Sequence, residues 1–109
     1  MNKYYNKKVV IDGIKFDSIS ESTRYKELKL LERTGVISNL ELQPKFILQE
    51  GFKKNGKTYR KIEYIADFKY KEKGQTIVED VKGIETNDFK LKHKLFEYRY
   101  PDLELKIIK

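Results

Sequence analysis

The spacing of hydrophobic and polar residues changes period several times along this chain, and each change marks an element. Val9, Val10 and Ile11, then Asp12-Gly13, then Ile14, Lys15 and Phe16 predict a short β-hairpin, because Asp-Gly supplies the positive φ angles of a two-residue type I′ turn. Ser18 and Glu21 fit a capping box with Ser18 as N-cap, and a helix follows to about Arg33, closed by Gly35. Tyr25, Leu28 and Leu31, with Leu30 nearby, form its apolar stripe. Phe46, Ile47 and Leu48 predict a strand, with Pro44 at its start or on an edge. Residues 61–70 predict another, with Tyr64, Ala66, Phe68 and Tyr70 on one face and Ile65, Asp67 and Lys69 on the other. A tight turn at Lys71-Glu72-Lys73-Gly74 pairs it with residues 75–83, where β-branched Ile77, Val78 and Val81 predict a short buried strand between Gly74 and Gly83. Thr86 caps a second helix over residues 87–98, whose stripe is Phe89, Phe96 and Tyr100 flanked by Leu91 and Leu95. Residues 103–108 alternate as a last strand.

Charges break this pattern at three places. Glu79, Asp80 and Lys82 stand inside the apolar run of residues 75–83, and burying an unpaired charge is costly. Alternation puts Asp80 and Lys82 on one face, roughly 7 Å apart along the strand, with Glu79 facing away. A carboxylate beside an ammonium at the end of a core strand suits a metal-bound phosphate; the bland alternative is an edge strand with solvated charges. Asp67 is a second lone acid among apolar neighbours. If the register sets Asp67 opposite Asp80, two carboxylates converge at roughly 5 Å, and they repel unless one is protonated or a cation lies between them. Glu21 is the third anomaly: it lies four residues before Tyr25 and seven before Leu28, on the buried face, where it either completes the cap or serves as a ligand. His93 is the only histidine, and with no second imidazole it reads as a packing residue or a phosphate contact.

Composition narrows the partners. The net charge of +7, from 24 Lys and Arg against 17 Asp and Glu, favours a polyanion such as nucleic acid. Lys53, Lys54 and Lys57 around Asn55-Gly56 form an exposed basic turn, and Lys90 and Lys94 a basic face on the second helix; all five are candidate DNA contacts or solvated surface. Residues 1–8 read as a polar, basic arm in which Tyr4 and Tyr5 could pack or stack on bases. Without cysteine there is neither a disulfide framework nor a thiolate metal site. No apolar run reaches the length of a signal core or membrane span, so a cytoplasmic protein with no membrane partner is expected. Its 109 residues suit one domain, residues 1–109.

The order hairpin, helix, three strands, helix, strand, with Glu21, Asp67 in Ile65-Ala66-Asp67-Phe68, and Asp80-Val81-Lys82, resembles the PD-(D/E)xK nuclease superfamily. The resemblance covers nearly the whole chain from Phe16. It is closest to small phage-encoded members and to the DNA-cleaving subunit of heteromeric transposases, where a Gln-x-x-Phe-x-Leu strand precedes the Asp-Phe strand as Gln43 to Leu48 does here. Ala66 stands where the superfamily's name has proline. The resemblance implies an α/β, restriction-endonuclease-like αβββαβ core, a mixed central sheet flanked by two helices, here preceded by a β-hairpin. It implies that Asp67 and Asp80 bind one or two divalent ions, Mg²⁺ with Mn²⁺ as substitute. Glu21 would assist directly or through water, the Val81 carbonyl would complete the shell, and Lys82 would orient the attacking water.

The expected function is a Mg²⁺-dependent DNA endonuclease of phage or prophage origin acting on branched or structured DNA in recombination, replication or packaging. By analogy with junction-resolving members it is a homodimer, with no small-molecule cofactor. Two rivals stay open: a non-catalytic nucleic-acid-binding adaptor with a degenerate nuclease fold, and a protein-interaction domain whose basic charge is compositional. Glu79 is held as a substitute ligand should its strand contain a bulge.

Overall fold

The hairpin at the start of the described chain forms as the sequence predicts. In the computed structural model, which describes residues 8–109, β1 (Val9–Ile11) and β2 (Ile14–Phe16) pair antiparallel across Asp12 and Gly13, with φ of 54° and 75°. Tyr4 and Tyr5 lie outside the described residues. Helix α1 (Ile19–Arg33) starts at Ser18, whose hydroxyl accepts the Glu21 N–H at 3.0 Å, and ends at the Thr34 cap. Helix α2 (Asn87–Arg99) starts at Thr86, whose hydroxyl accepts the Phe89 N–H at 3.1 Å.

A four-stranded mixed sheet separates the two helices. Its order is β10 (Glu104–Ile108), β9 (Gln75–Val81), β8 (Phe68–Glu72) and β3 (Ser38–Leu42). β9 and β10 run parallel, joined through α2, while the other two pairings are antiparallel. Side chains alternate along β9, so each face carries its own core. Ile77 packs with Phe68, Tyr70 and the α1 residues Tyr25 and Leu28; Val78 packs with Tyr64, Ala66 and the α2 residues Phe89 and Phe96. Burying a side chain of this size contributes about 1.5–3 kcal/mol. The protein is therefore a mixed α/β fold with one helix on each face of a mixed sheet.

Some expectations are corrected and one alternative is removed. Residues 61–70 are not one strand: they divide into β7 (Ile62–Ile65) and β8, broken at Ala66 and Asp67. The break switches faces, so Tyr64 and Ala66 join the α2-side core while Phe68 and Tyr70 join the α1-side core. The Phe46-Ile47-Leu48 strand forms as β4 (Lys45–Gln49) and pairs with β7 in a separate ladder, while β3, a strand the sequence did not predict, pairs with β8. Leu30 and Leu91 are exposed, not part of the buried stripes. Finally, β9 is an interior strand, which rules out the solvated-edge explanation of its charges. Between β4 and β7 projects a hairpin, β5 (Phe52–Lys54) and β6 (Lys57–Tyr59), all of it exposed.

Candidate acidic site

Three carboxylates from three elements meet where β7 breaks into β8. Phe68 pairs with Glu79, so one further step of the same antiparallel register sets Asp67 opposite Asp80. The Asp67 N–H donates to the Glu79 carbonyl at 3.0 Å, and its Oδ2 accepts the Val81 N–H at 2.7 Å. Asp67 is thus anchored to β9 through both backbone and side chain. Asp80 projects from the α2 face of β9, where Tyr64 Oη donates to its Oδ2 and Lys82 Nζ lies 3.4 Å from its Oδ1. Glu21 reaches the group from the first turn of α1, within hydrogen-bonding reach of Asp67. Two carboxyl groups can share a hydrogen bond only if one is protonated.

Burial is the first cause of the electrostatics here. It pushes Asp67 up to about 6, helped by the neighbouring Glu21 and opposed by the Val81 N–H. Burial likewise pushes Asp80 up to about 6; the Tyr64 hydroxyl pulls the other way, the Asp67 charge adds to the rise, and Lys82 opposes it. Glu21 is also raised, first by burial. The same environment pushes the Tyr64 hydroxyl far up, which keeps it a donor. Asp67 and Asp80 are within hydrogen-bonding reach of each other and titrate as a pair.

The surroundings form two recesses. On one side, a cavity of about 130 Å³ is lined by Lys15, Phe16, Glu21, Leu42, Gln43 and Asp67, among others. Gln43 sits there with φ of 51°, a conformation unusual for a residue with a Cβ, and its N–H donates to the Asp67 carbonyl at 2.9 Å. On the other side, a groove of about 270 Å³ is lined by Tyr64, Ile65, Lys82, Thr86, Phe89 and Lys92, among others. Lys82 Nζ lies 4.6 Å from the Phe89 ring centroid, so the ring and Asp80 hold the ammonium at the groove wall.

The structure brings Glu21, Asp67, Asp80 and Lys82 together, with Val81 between the last two. It keeps Glu79 apart. β9 has no bulge, and Glu79 points to the α1 face, where Arg24 binds both carboxylate oxygens at 2.8 and 2.6 Å and Tyr70 Oη donates to Oε2. Glu79 is therefore a saturated ion pair and cannot serve as a substitute ligand here. The proposed DNA contacts do not join the site: Lys53, Lys54 and Lys57 lie on the β5–β6 hairpin, and Lys90 and Lys94 are exposed on α2, whereas Lys92 lines the groove with Lys82. His93 stacks on Phe89 and lies 3.4 Å from Glu97. Tyr64 and Arg24 escaped the sequence reading of the site, whereas Gln43, weighed there as a polar site residue or a surface amide, lines the recess beside Asp67. The buried Glu79 was a signal for Arg24, because a charge in a core strand needs a cation.

The donors suit a hard divalent ion. They are all oxygen, and the raised Asp67 and Asp80 would be relieved by a cation between them. Among the described residues no three acidic or imidazole side chains form a ready ligand cage. One or two carboxylates, with water and phosphate supplying the remaining positions, is the usual arrangement for Mg²⁺. Also among these residues, no helix is long and apolar enough to cross a membrane. Comparison with curated proteins and with solved structures finds no match. Residues 1–109 match the family described as protein of unknown function (DUF1064), and the chain belongs to that family.

Proposed function

We propose that the protein is a divalent-metal-dependent DNA endonuclease of the PD-(D/E)xK type. The observation that carries this reading is the Asp67–Asp80 pair, both raised first by burial, with Asp67 raised further by Glu21 and Asp80 by Asp67, and with Lys82 3.4 Å from Asp80. Element order supports it as well. α1, β3, β8, β9, α2 and β10 follow the αβββαβ sequence of that superfamily, with β4 to β7 inserted as an arm after the first strand.

Asp67 and Asp80 would hold the ion, with Glu21 acting through its contact with Asp67 and the Val81 carbonyl as a further oxygen donor. Bound Mg²⁺ would neutralise charge on the phosphate and make a coordinated water more acidic. The protein's own groups do the rest. The Val81 N–H and the Tyr64 hydroxyl each occupy one carboxylate oxygen, which fixes the two acids. Lys82, held against Phe89, places a positive charge where negative charge develops on the phosphate and orients the attacking water. Lys92 and Thr86 on the same groove offer contacts to the strand.

The test is incubation of the protein with branched and linear DNA and Mg²⁺ or Mn²⁺. Wild type should cleave, and Lys82→Ala should be slower by about 100-fold or more, the usual loss for a group that stabilises developing charge. Equal cleavage by wild type and Lys82→Ala removes the assignment. Metal-independent DNA binding with no cleavage of any substrate would point to the adaptor, a reading favoured by the ion pair that Asp80 already makes with Lys82.

A further inference from the structure

The β5–β6 hairpin has no evident structural duty. Every residue from Gln49 to Lys61 is exposed, and none belongs to either core. The ribbon is nevertheless well formed. Phe52 pairs with Tyr59, Lys53 with Thr58 and Lys54 with Lys57, closing on Asn55 and Gly56 with φ of 52° and 76°. At its base the backbones converge so closely that a Cβ on Gly51 would stand 3.1 Å from the Tyr59 carbonyl oxygen, a spacing that favours glycine.

What the ribbon displays is specific. Directly opposed residues share a face, and so do residues two apart, so Phe52, Tyr59, Lys54 and Lys57 all project from one side. The Phe52 and Tyr59 rings stack at 4.8 Å with 11° between their planes, although they remain 45% and 38% exposed. Lys57 Nζ lies 5.2 Å from the Tyr59 centroid, on an aromatic pair otherwise open to water. A depression of about 640 Å³ at the foot of the ribbon is lined by Gly51, Phe52, Lys53, Tyr59, Arg60 and Lys61 with neighbouring residues. The acids nearby are already engaged: Glu50 pairs with Arg99 at 3.7 Å and Glu63 with Lys61 at 3.3 Å. Among the described residues, Lys53, Lys54, Lys57 and Arg60 have no carboxylate within ion-pair distance.

We propose that this ribbon is a stacking arm that binds the unpaired bases of a nucleic-acid strand. A flat aromatic pair kept in water by the fold, flanked by unneutralised cations, matches a ligand that alternates phosphate charge with exposed π-faces. A continuous duplex offers the charge but not the faces. The arm is also connected to the acidic site: β6 leads through β7 to Asp67, eight residues after Tyr59, so the Cα atoms of these two residues lie no farther than roughly 29 Å apart. This inference rests on the nucleic-acid reading given above but not on catalysis, and it names strands with unpaired bases as the class of substrate.

Binding is therefore measured in EDTA, by fluorescence anisotropy, on three probes: an oligothymidine strand, an abasic deoxyribose-phosphate strand of equal length, and a blunt duplex. Wild type should bind oligothymidine roughly 5- to 100-fold tighter than the abasic strand, the range for one stacked base. Phe52→Ala should lose that preference while keeping its affinity for the abasic strand. Lys54→Ala/Lys57→Ala should weaken both single strands together and reduce the salt slope by about 1 to 2. An unchanged thermal midpoint establishes that Phe52→Ala folds; should it fail, Phe52→Leu, apolar but without a ring, carries the same test. The proposal is overturned if wild type does not distinguish oligothymidine from the abasic strand, or if the folded ring-less variant still does. Base preference in a protein that cleaves nothing with Mg²⁺ would remove only the nuclease reading. Cleavage by a protein without base preference would remove only the stacking arm.

Discussion

Glu79 and Asp80 are neighbours on one strand, and both are buried, at 0% and 3% exposure, yet they sit in opposite electrostatic worlds. Glu79 faces α1 and receives two guanidinium N–H bonds from Arg24 and a hydroxyl from Tyr70, so its charge is matched and both oxygens are satisfied. Asp80 faces α2 and receives Tyr64 and a looser ammonium from Lys82, and it also meets a second acid, Asp67. The first arrangement is complete within the chain. The second gathers more carboxylates than cations, which is how a candidate functional site differs from a structural ion pair. Burial alone does not separate the two; the partner inventory does.

The largest effect should come from breaking the complete arrangement. Arg24→Ala would leave Glu79 charged, buried and held only by Tyr70, and the loss of one partner of a buried pair typically costs about 3–5 kcal/mol. Denaturant unfolding measures it. The double variant Arg24→Met/Glu79→Met, which removes both charges, should recover most of that loss. If Arg24→Ala unfolds like wild type, the Glu79 pair is not the matched system described here.

The acidic pair should respond in the opposite direction. The Asp80 pKa is raised from 3.8 to about 6 in the folded state, so between those values the native protein binds a proton that the unfolded chain has released. Stability therefore falls as pH rises through that window and stays lower above it. Asp80→Asn keeps an acceptor for Tyr64 and removes the repulsion with Asp67. It should gain about 1–3 kcal/mol at pH 8 without divalent ions, and gain almost nothing at pH 4. Adding Mg²⁺ should raise the thermal midpoint of wild type at pH 8 and leave Asp80→Asn unmoved, since only a cation bound to the native state stabilises it. Destabilisation of Asp80→Asn at pH 8 would mean that Asp80 is compensated as fully as Glu79.

Much of this contrast could be read in the sequence, and the rest was hidden for identifiable reasons. A β-branched run holding Glu79, Asp80 and Lys82 declares that two faces carry different chemistry, because alternation along a strand is robust. Glu21 on the buried side of its helix was equally legible from helical spacing. The partners were not. Strict alternation across residues 61–70 placed Tyr64 with Phe68 and Tyr70, but the break at Ala66 and Asp67 reverses the faces, so Tyr64 reaches Asp80 and Tyr70 reaches Glu79. Nothing local signals that break. Part of its cause is distant, in Gln43 and Pro44, whose backbone groups bond Asp67 and Ala66. β3 escaped notice because it is an edge strand of mixed polarity, with Asn39 at φ 57° and an irregular register interrupting its pattern. Which α2 lysine faces the groove was hidden for a simpler reason. Composition counts lysines, but only the helix phase brings Lys92 to the groove and leaves Lys90 and Lys94 exposed elsewhere.

The smallest effect is also the most direct comparison of the two tyrosines. Tyr64→Phe removes the hydroxyl that Asp80 accepts, and Tyr70→Phe removes the one that Glu79 accepts. The Tyr64 bond favours the charged form of Asp80, so its loss should raise that carboxyl further and extend the pH window of declining stability upward. A hydrogen bond to a charged acceptor contributes about 1.5–3 kcal/mol and one to a neutral acceptor about 1. Tyr64→Phe should therefore cost about 1 kcal/mol more at pH 8, where Asp80 is ionised, than at pH 5, where it is mostly protonated. Tyr70→Phe leaves both guanidinium bonds on Glu79, so its cost should stay nearly constant between the same two pH values. Urea unfolding of the two variants at pH 5 and pH 8 supplies all four numbers. Parallel pH responses would show that the acids on the two faces differ less than their partners suggest, and would remove the electrostatic argument for a cation at Asp80.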